Sequence, residues 1–316
     1  MRFLIVGAGA LGGYYGGRML ECGLDVTFLV RERRAAQLRQ DGLVIKSPKG
    51  DLTIPAPPTI LKDQLAAHAP FDVVLVGCKA YDLEQTMQDF AAAVGPATLI
   101  IPILNGMRHL DALIARFGEA NVAGGLCMIS AALDDKGVVH HYNDVHVLLY
   151  GERDGSRSAR IEAIEAAWST INFTPSARPD IIHAMWEKWA MIASMAGITC
   201  LMRSAIGDIV AAGGAPVGLA IYQECAAIAA ACGFAPRADQ RERATTALQA
   251  VGSPITASML KDIERGARTE GEHVFDDLLA RGEALGIDAP TLRIAATHVA
   301  AYERHRIRQQ TPEQVS

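Results

Sequence analysis

The sequence has little of what marks secreted, membrane-spanning or nucleic-acid-binding proteins. Its six cysteines show no paired spacing, which disfavours a disulfide framework and fits thiols in a reducing cytoplasm. No stretch reaches the roughly 18 uncharged apolar residues that a membrane span needs, and the N-terminal apolar run is too short for a signal peptide. The formal net charge is −5, with lysines and arginines scattered, so no basic stripe marks a nucleic-acid surface. We therefore expect a cytoplasmic enzyme with neither a membrane nor a nucleic-acid partner.

One polar segment contains several residues that could bind a metal. They are His140, His141, Asp144 and His146, in a stretch that resembles a β-hairpin turning near Asn143-Asp144. Side chains alternate along a strand, so neighbours in this segment point to opposite faces. A solvated hairpin is therefore favoured over a metal site, and we expect no metal.

A glycine-rich motif at the N-terminus is the clearest functional signal in the chain. An apolar strand, Phe3 to Val6, runs into Gly7-Ala8-Gly9-Ala10-Leu11-Gly12 and then into a helix. Gly7 permits a tight turn, Gly9 lets the backbone approach a pyrophosphate, and Gly12 allows the helix to pack closely on the strand. The N–H groups at the start of the helix, including those of Ala10 and Leu11, face the anion. The motif predicts a Rossmann-type dinucleotide site.

The second strand indicates which dinucleotide binds. It runs from Asp25 to Val30, at βαβ distance from the first strand, and leads into Arg31-Glu32-Arg33-Arg34. An NAD site usually has an acidic residue here for the ribose hydroxyl, whereas an NADP site has arginine facing the 2′-phosphate. Arg31 at the strand tip, with two arginines close behind it, favours NADPH because guanidinium groups bind phosphate bidentately. The alternative is that Glu32 points into the crevice and serves NAD.

Two further apolar runs extend the predicted parallel sheet. Asp72 to Gly77 leads into Cys78-Lys79-Ala80, and Thr98 to Ile103 leads into Leu104-Asn105-Gly106-Met107. Ligands of such sheets bind beyond the carboxyl ends of the strands. Lys79 and Asn105 are therefore candidates to face the nicotinamide or the substrate. A surface lysine and a capping or turn asparagine remain the alternatives.

The second half of the chain changes character twice. From about Val122 to Gly151, alternating strands with turns at Asp134-Asp135-Lys136-Gly137 and Asn143-Asp144 predict antiparallel strands that complete the sheet. After Arg178 the pattern is helical almost to the end, and Pro179 can occupy the first turn of a long helix. The sequence thus predicts an α/β Rossmann domain over residues 1–178 and an all-helical domain over residues 179–316.

The long helix, predicted from Ile181 to Met202, contains the main catalytic candidate. It is apolar nearly all round, as a buried helix is, and its charged residues are Glu187 and Lys188, with His183 one turn earlier. A charged lysine in a buried helix costs free energy of folding unless it is paired or has a functional role. Burial would also lower its pKa towards the range that suits a general acid. The alternative is that Glu187 and Lys188 emerge where the helix reaches the surface.

Several motifs follow one another along nearly the whole chain. They are the glycine motif, Leu29-Val30-Arg31, Lys79-Ala80, Asn105-Gly106-Met107, Trp186-Glu187-Lys188-Trp189-Ala190, Ser258-Met259-Leu260-Lys261-Asp262, Thr269-Glu270 and Gly286-Ile287-x-x-Pro290. Taken together in this order, they resemble those of the ketopantoate reductase family (2-dehydropantoate 2-reductases). The resemblance implies a Rossmann domain, an all-helical C-terminal domain and NADPH as the hydride donor. It also implies that Lys188 donates a proton to the developing alkoxide and that Glu270 partners the substrate or the lysine. Ser258 and Asn105 are implied as polar groups around the substrate.

Some positions depart from the family pattern. The family has asparagines one and two turns after the lysine, and this chain has Ile192 and Ala196 at those positions. Spacings of four and eight residues keep both on the same helix face as Lys188. Ile206 stands where the family has a further asparagine. After Thr269-Glu270 the family has an apolar residue and an aspartate, and this chain has Gly271 and Glu272. We therefore expect Ile192 and Ala196 to line a pocket for a substrate bulkier or more apolar than ketopantoate.

These residues leave three functions open. The first is an NADPH-dependent reductase of a 2-oxo acid or related carbonyl compound, favoured because Lys188, Ser258 and Glu270 are retained. The second is ketopantoate reductase itself, making pantoate, with the asparagine contacts supplied by Thr199 or Arg203. The third is a non-catalytic NADP-binding regulatory protein, against which the retained lysine argues. A homodimer is left open.

Overall fold

The computed structural model describes residues 1–310. The chain forms two compact units. One comprises Met1–Leu104 and His109–Ile182, and the other comprises Asn105–Arg108 and the chain from His183 onward. The division after Ile182 separates two compact parts of the chain and does not test where one domain ends. The domain boundary after residue 178 therefore stays a prediction.

The first unit contains the strands and the α-helices between them. Its strands are β1 (Arg2–Val6), β2 (Asp25–Leu29), β3 (Leu43–Lys46), β4 (Leu52–Ile54), β5 (Thr59–Ile60), β6 (Val73–Val76), β7 (Leu99–Pro102), β8 (Gly124–Leu133), β9 (Val139–Gly151) and β10 (Thr174–Ala177). The α-helices before residue 178 are α1 (Ala10–Glu21), α2 (Glu32–Asp41), α3 (Leu83–Phe90), α4 (Arg108–Phe117) and α5 (Ala159–Ala167). Short 3₁₀ turns occupy Lys62–Ala67, Ala80–Asp82, Ala91–Ala93 and Glu119–Asn121.

A parallel sheet with strand order β5-β2-β1-β6-β7 positions the glycine motif. Its inner strands are buried on both faces, which is why they are nearly continuous apolar runs in the sequence. The chain moves outward from β1 through β2 to β5 and then continues on the other side of β1 with β6 and β7. The strand order therefore reverses beside β1. Open α/β sheets bind their ligands at such a reversal, outside the carboxyl ends of the strands.

The strands after Val122 do not complete this sheet as predicted, but form a second one. Its order is β10-β9-β3-β4, with β8 paired antiparallel to β9. The hairpin turns at Asp134–Gly137, as predicted, where the Gly137 N–H donates to the Asp134 carbonyl (3.0 Å). The second predicted turn is wrong, because Asn143 and Asp144 lie within β9. The Asn143 side chain accepts a hydrogen bond from the Ser130 N–H (3.2 Å) beside a β-bulge, so this polar pair marks an irregular ladder.

The histidines of β9 also differ from the solvated hairpin that was expected. His141 is only 4% exposed. Its Nδ1 bonds to the Ser47 hydroxyl (2.9 Å) and its Nε2 lies 3.1 Å from the Val145 carbonyl oxygen. His146 Nδ1 bonds to the Tyr14 hydroxyl (2.7 Å). Within residues 1–310, no group of three or more His, Cys, Asp or Glu side chains could hold a metal ion.

The second unit is helical. Its helices are α6 (Ile181–Met202, which begins just before the unit), α7 (Ile206–Ala211), α8 (Ala215–Ala231), α9 (Ala238–Leu248), α10 (Ser258–Glu264), α11 (Asp277–Ala284) and α12 (Pro290–Gln310), with a π-helical turn (Glu272–Asp276) leading into α11. The predicted bounds of α6 are confirmed, although Pro179 precedes the helix and does not lie in its first turn. No helix in the described part of the chain is long and apolar enough to cross a membrane. The six cysteines, all within the described residues, form no disulfide.

Buried aromatic and charged side chains fix α6 within this unit. Trp189 is fully buried, and its indole N–H donates to the Val274 carbonyl (2.9 Å). Glu187 is also buried and accepts hydrogen bonds from the backbone N–H and Nε of Arg237 (2.9 and 2.8 Å). Burial acts to raise the pKa of Glu187, but the Arg237 bonds outweigh it and hold the pKa below its usual value. Glu187 thus does not emerge at the surface, and it ties α6 to the start of α9.

Candidate active site

The glycine motif forms an open loop between β1 and α1. Gly7 has φ +89°, a conformation that L side chains rarely adopt. A Cβ on Gly9 would meet no atom within 4 Å, whereas a Cβ on Gly12 would overlap the Gly7 carbonyl oxygen. Gly9 is the N-cap of α1 and brings no side-chain cap, so the amides of Ala10 and Leu11 begin an uncapped helix beside open space. This arrangement suits the pyrophosphate of a dinucleotide.

Arg31 lies where the sequence places it, just past the end of β2. It is the N-cap residue of α2, with extended backbone (φ −78°, ψ 156°). Its side chain is 71% exposed, and the nearest carboxylate, that of Asp82, is 3.9 Å away. At that distance and exposure the ion pair is weak. The guanidinium is therefore accessible to a phosphate.

Arg34 has a different role from the one predicted for it. Its Nε donates to the Ala8 carbonyl (3.0 Å), inside the glycine motif, and a terminal N–H donates to the Gly137 carbonyl (3.1 Å). Burial lowers the pKa of Arg34, although Asp134 and Asp41 act in the opposite direction. The guanidinium is thus used within the protein, where it ties the glycine loop to the β8–β9 turn. Local sequence could not show this, because Gly137 is far away along the chain.

Lys79 lies at the carboxyl end of β6, the strand beside β1. It is the N-cap residue of the 3₁₀ turn Ala80–Asp82, and its side chain is partly exposed. The same turn supplies Asp82, the carboxylate near Arg31. Lys79 therefore lies at the edge of the sheet where a dinucleotide is expected.

In the second unit, one cavity of about 100 Å³ collects most of the predicted substrate residues. It is lined by Asn105, Ile192, Met195, Ala196, Ala257, Ser258, Met259, Asp262, Glu270 and Val274. A water needs about 10–15 Å³ of such space, so the cavity has room for a small organic molecule. Five side chains predicted around the substrate, from Asn105, Ile192, Ala196, Ser258 and Glu270, thus meet at one place.

Lys188 is not among these lining residues, but it lies one turn before Ile192 on α6. A spacing of four residues places the two on the same face of the helix. The lysine is neither fully buried nor fully exposed. Its assignment as proton donor stays a prediction.

The other lining residues were not assigned to the substrate site from the sequence. Asp262 could have been found, because it follows Ser258 by four residues on α10 and so shares its face. Met195 likewise follows Ile192 by three residues on α6. Val274 gave no such signal, because it lies in a π-helical turn whose period differs from that of an α-helix.

The substitutes suggested for the family's asparagines do not line the cavity. The Thr199 hydroxyl donates to the Met195 carbonyl (2.7 Å) and accepts from the Ala257 N–H (3.3 Å), so it fixes the start of α10 against α6. Arg203 is exposed, with φ +54°. Ile206 is buried outside the cavity lining. Thr199 and Arg203 thus do not line the described cavity, and their role as substitutes stays a prediction.

The segment that carries Glu270 is fixed by α12. The Thr269 N–H donates to Glu303 Oε1 (2.6 Å), and Arg306 pairs with the same carboxylate (2.9 Å). Burial acts to raise the pKa of Glu303, but these hydrogen bonds hold it below its usual value. A Cβ on Gly271 would stand 2.7 Å from Val299 Cγ1, so the departure from an apolar residue at position 271 accommodates Val299.

The cavity combines polar and apolar walls. Among its ten lining residues, the charged side chains are those of Asp262 and Glu270. The amide of Asn105 and the hydroxyl of Ser258 can donate hydrogen bonds to a carboxylate or carbonyl oxygen. Ile192, Ala196 and Val274 offer no hydrogen-bonding side chain. The cavity therefore suits a small molecule with one polar end and one apolar substituent.

Comparison with known proteins agrees with this architecture. Two family models match, ketopantoate reductase PanE/ApbA over residues 3–155 and ketopantoate reductase PanE/ApbA C terminal over residues 180–303. The chain is 37% identical over 307 residues to the uncharacterized oxidoreductase YkpB of Bacillus subtilis (strain 168), covering 97% of this chain and 100% of that protein.

Solved structures are also similar. The 2-dehydropantoate 2-reductase of Geobacter metallireducens GS-15 is 28% identical, with a TM-score of 0.86, over 95% of this chain and 99% of that one. D-mandelate dehydrogenase, in a ternary structure with NADH and anilino(oxo)acetate, shares the fold at 18% identity, with a TM-score of 0.87 over 97% and 99% of the two chains. The chain therefore belongs to the ketopantoate reductase PanE/ApbA family and is an oxidoreductase acting on a CH–OH/C=O couple.

Proposed function

We propose that this protein is an NADPH-dependent reductase of a 2-oxo acid, or a related carbonyl compound, bulkier or more apolar than ketopantoate. The observation that carries the proposal is the composition of the cavity wall. Ile192 and Ala196, which have no hydrogen-bonding group, line it together with Asn105, Ser258 and Glu270. A polar end of the substrate then has partners, and an apolar substituent has a surface to cover.

The first unit supports the dinucleotide half of this proposal. The open space at Gly9, the uncapped start of α1 and the reversal of strand order beside β1 fit a pyrophosphate. When bound, the reduced nicotinamide supplies the hydride. D-mandelate dehydrogenase binds NADH on the same fold, so the choice of NADPH here rests on Arg31 and not on the fold.

Residues of the second unit would then carry out the remaining steps. Reduction of a carbonyl places negative charge on its oxygen, and a nearby acid stabilises that transition state more than the ground state. Lys188 would donate its proton to this oxygen. Asn105 and Ser258 would hold the carboxylate, while Glu270 would orient the lysine or accept a hydrogen bond from the substrate. The assay is NADPH oxidation followed by absorbance with a panel of 2-oxo acids; no turnover with any of them would contradict a 2-oxo acid as the substrate.

Two glycine variants distinguish an effect on dinucleotide binding from an effect on the stability of the fold. Gly9→Ala adds a methyl group into open space at an ordinary φ of −83°, so the thermal midpoint should stay unchanged while NADPH affinity falls at least about tenfold. Gly12→Ala instead overlaps the Gly7 carbonyl and should destabilise the fold by about 1–3 kcal/mol. Thermal unfolding and fluorescence titration measure the two effects. Unchanged NADPH affinity in Gly9→Ala would remove the pyrophosphate from this loop.

Arg31 tests the cofactor choice. Charge-assisted contacts to a phosphate contribute roughly 1.5–3 kcal/mol, or about 10- to 150-fold in affinity. NADPH should therefore bind at least about tenfold more tightly than NADH, and Arg31→Ala should remove most of that difference. Arg39→Ala, which removes an exposed arginine in the last turn of the same helix, is the matched control and should keep it. Equal dissociation constants for the two cofactors in the wild type would contradict the assignment.

Reduction of ketopantoate itself is the second candidate. The retained Asn105, Ser258 and Glu270 in the cavity favour it, as does the similarity to the Geobacter enzyme. It differs from the first candidate because the ketopantoate hydroxyl would need a hydrogen-bond partner, and Ile192 and Ala196 provide none at the positions of the family's asparagines. The relative rates with ketopantoate and with bulkier oxo acids therefore separate the two.

A further inference from the structure

The segment Asn105–Arg108 contacts the π-helical turn Glu272–Asp276 at both ends, through an exposed ion pair at one end and a buried ring at the other. At its far end, Arg108 pairs with the Glu272 carboxylate (3.3 Å). At its near end, the His273 ring forms a hydrogen bond with the backbone of Asn105. Asn105 is the residue of this segment that lines the cavity. The π-helical turn thus fixes the part of the chain that brings the asparagine to the substrate.

The backbone of this segment lies directly against the His273 ring. Gly106 has φ +79°, and a Cβ there would stand 3.0 Å from His273 Cδ2 and 3.1 Å from its Nε2. A side chain at position 106 would be both strained and crowded. The glycine therefore allows the close approach, and the ring edge that carries Nε2 faces the segment.

The same turn is joined to the helix that carries the catalytic candidate. The indole N–H of Trp189 donates to the Val274 carbonyl (2.9 Å), and the Val274 side chain lines the cavity. One turn of chain therefore sets the position of α6 on one side and of Asn105 on the other. π-helical turns inside α-helices recur at functional sites, where the extra residue redirects a side chain.

Burial favours a neutral His273 ring. The residue is 8% exposed. Burial lowers its pKa below the usual value, and Arg108 acts in the same direction, while the Asn105 backbone, Glu270 and Asp277 act against the shift. A neutral imidazole has one N–H to donate. The Asn105 carbonyl is its acceptor, because a bond that favours the protonated ring is one in which the ring donates.

We propose that His273 is a positioning residue, whose hydrogen bond to the Asn105 backbone sets the direction of the Asn105 side chain in the cavity. The proposal rests on the proposed function, in which Asn105 binds the polar end of a 2-oxo acid. His273 itself does not line the cavity. Its effect should therefore be indirect and should depend on the N–H donor and not on the volume of the ring.

Two substitutions separate the donor from the ring. His273→Phe keeps a planar ring but removes the N–H, whereas His273→Gln keeps a donor near the position of Nε2 but removes the ring. Small displacements of a substrate-positioning group cost up to about 100-fold in rate. We expect His273→Phe to lower kcat/KM for the 2-oxo acid by about 10- to 100-fold, mainly through KM, with NADPH affinity unchanged. His273→Gln should restore most of the loss.

Glu272→Gln provides the matched control on the same turn. Its ion pair with Arg108 is exposed on both sides, so its loss should change kcat/KM by no more than about fivefold. Wild-type kinetics from His273→Phe would overturn the proposal. So would equal losses in the Phe and Gln variants, because ring packing would then account for both.

Hydrogen exchange provides a readout that does not depend on turnover. Backbone amides in residues 103–110 should exchange faster in His273→Phe than in the wild type or in His273→Gln. If the wild type reduced no oxo acid, the proposed function would fail while this measurement still tested the contact. Equal exchange in all three proteins would overturn the role of His273 whatever the reaction.

Discussion

Replacing Lys188 with alanine is expected to lower kcat by about 10²- to 10⁴-fold, the usual contribution of a general acid. The lysine lies on α6 one turn before Ile192, which lines the cavity, so its loss should affect the proton donated to the carbonyl oxygen. NADPH affinity should stay nearly unchanged, because the proposed dinucleotide site consists of the glycine motif and Arg31. Stopped-flow reduction and fluorescence titration measure the two quantities separately.

The control is Lys261→Ala, which removes an exposed lysine of the same unit that does not line the cavity. It should keep the wild-type rate. A Lys188→Ala protein that retained half the wild-type rate, with a deuterated nicotinamide showing hydride transfer to be rate-limiting, would remove the lysine from the mechanism.

Restoring the two asparagines should shift the substrate preference. Ile192→Asn with Ala196→Asn adds two amides to the cavity wall, one turn apart on the Lys188 face. Hydrogen bonds to charged groups contribute about 1.5–3 kcal/mol each, and they do not add fully. We expect kcat/KM for ketopantoate, relative to a bulkier oxo acid, to rise by about 10- to 10³-fold. Steady-state kinetics with both substrates give the ratio.

A volume control accompanies this variant. Ile192→Leu with Ala196→Val changes the shape of the wall without adding a hydrogen-bonding group. The ratio should then not move toward ketopantoate. If this apolar pair shifted the preference as far as the asparagine pair, cavity volume and not hydrogen bonding would govern specificity.

The parts of this fold that could be predicted are those whose signal is local. The roles of Gly7, Gly9 and Gly12 follow from turn geometry and close packing over six residues, and the structure shows the positive φ of Gly7 and the crowding at Gly12. The bounds of α6 follow from a sequence between Ile181 and Met202 that is apolar except for a few polar residues such as Glu187 and Lys188. In both cases the residues that decide the structure are neighbours in the chain.

The parts that could not be predicted depend on distant partners. Strand β9 pairs with β3, β8 and β10, which no short window reveals, so the second sheet was taken for an extension of the first. Arg34 was grouped with Arg31 as a phosphate ligand, but its acceptors include Gly137 in a distant turn. His141 was placed on a solvated hairpin, although it is buried and hydrogen-bonded to Ser47 and to the β9 backbone.

The cavity shows the same division. Its residues from recognisable motifs, such as Asn105 and Ser258, were named from the sequence, and Asp262 and Met195 were within reach of helical spacing. Val274 and the contact between His273 and the Asn105 segment depend on a π-helical turn, which has no marked sequence pattern. Helical periodicity thus predicts the lining residues of α6 and α10 and does not predict Val274, which lies in the π-helical turn.

The most direct test of substrate choice is the kcat/KM of the unmodified protein with NADPH for ketopantoate and for phenylglyoxylate, an oxo acid with an aryl substituent. Burial of apolar surface against Ile192 and Ala196 contributes about 25 cal/mol per Å² and favours the aryl compound. We therefore predict a higher kcat/KM for phenylglyoxylate than for ketopantoate. The kcat/KM for ketopantoate should lie below roughly 10⁵ M⁻¹s⁻¹, a threshold that is itself inside the ordinary enzyme range. A value for ketopantoate above that level, and above that for phenylglyoxylate, would contradict the altered pocket and leave ketopantoate reduction as the function.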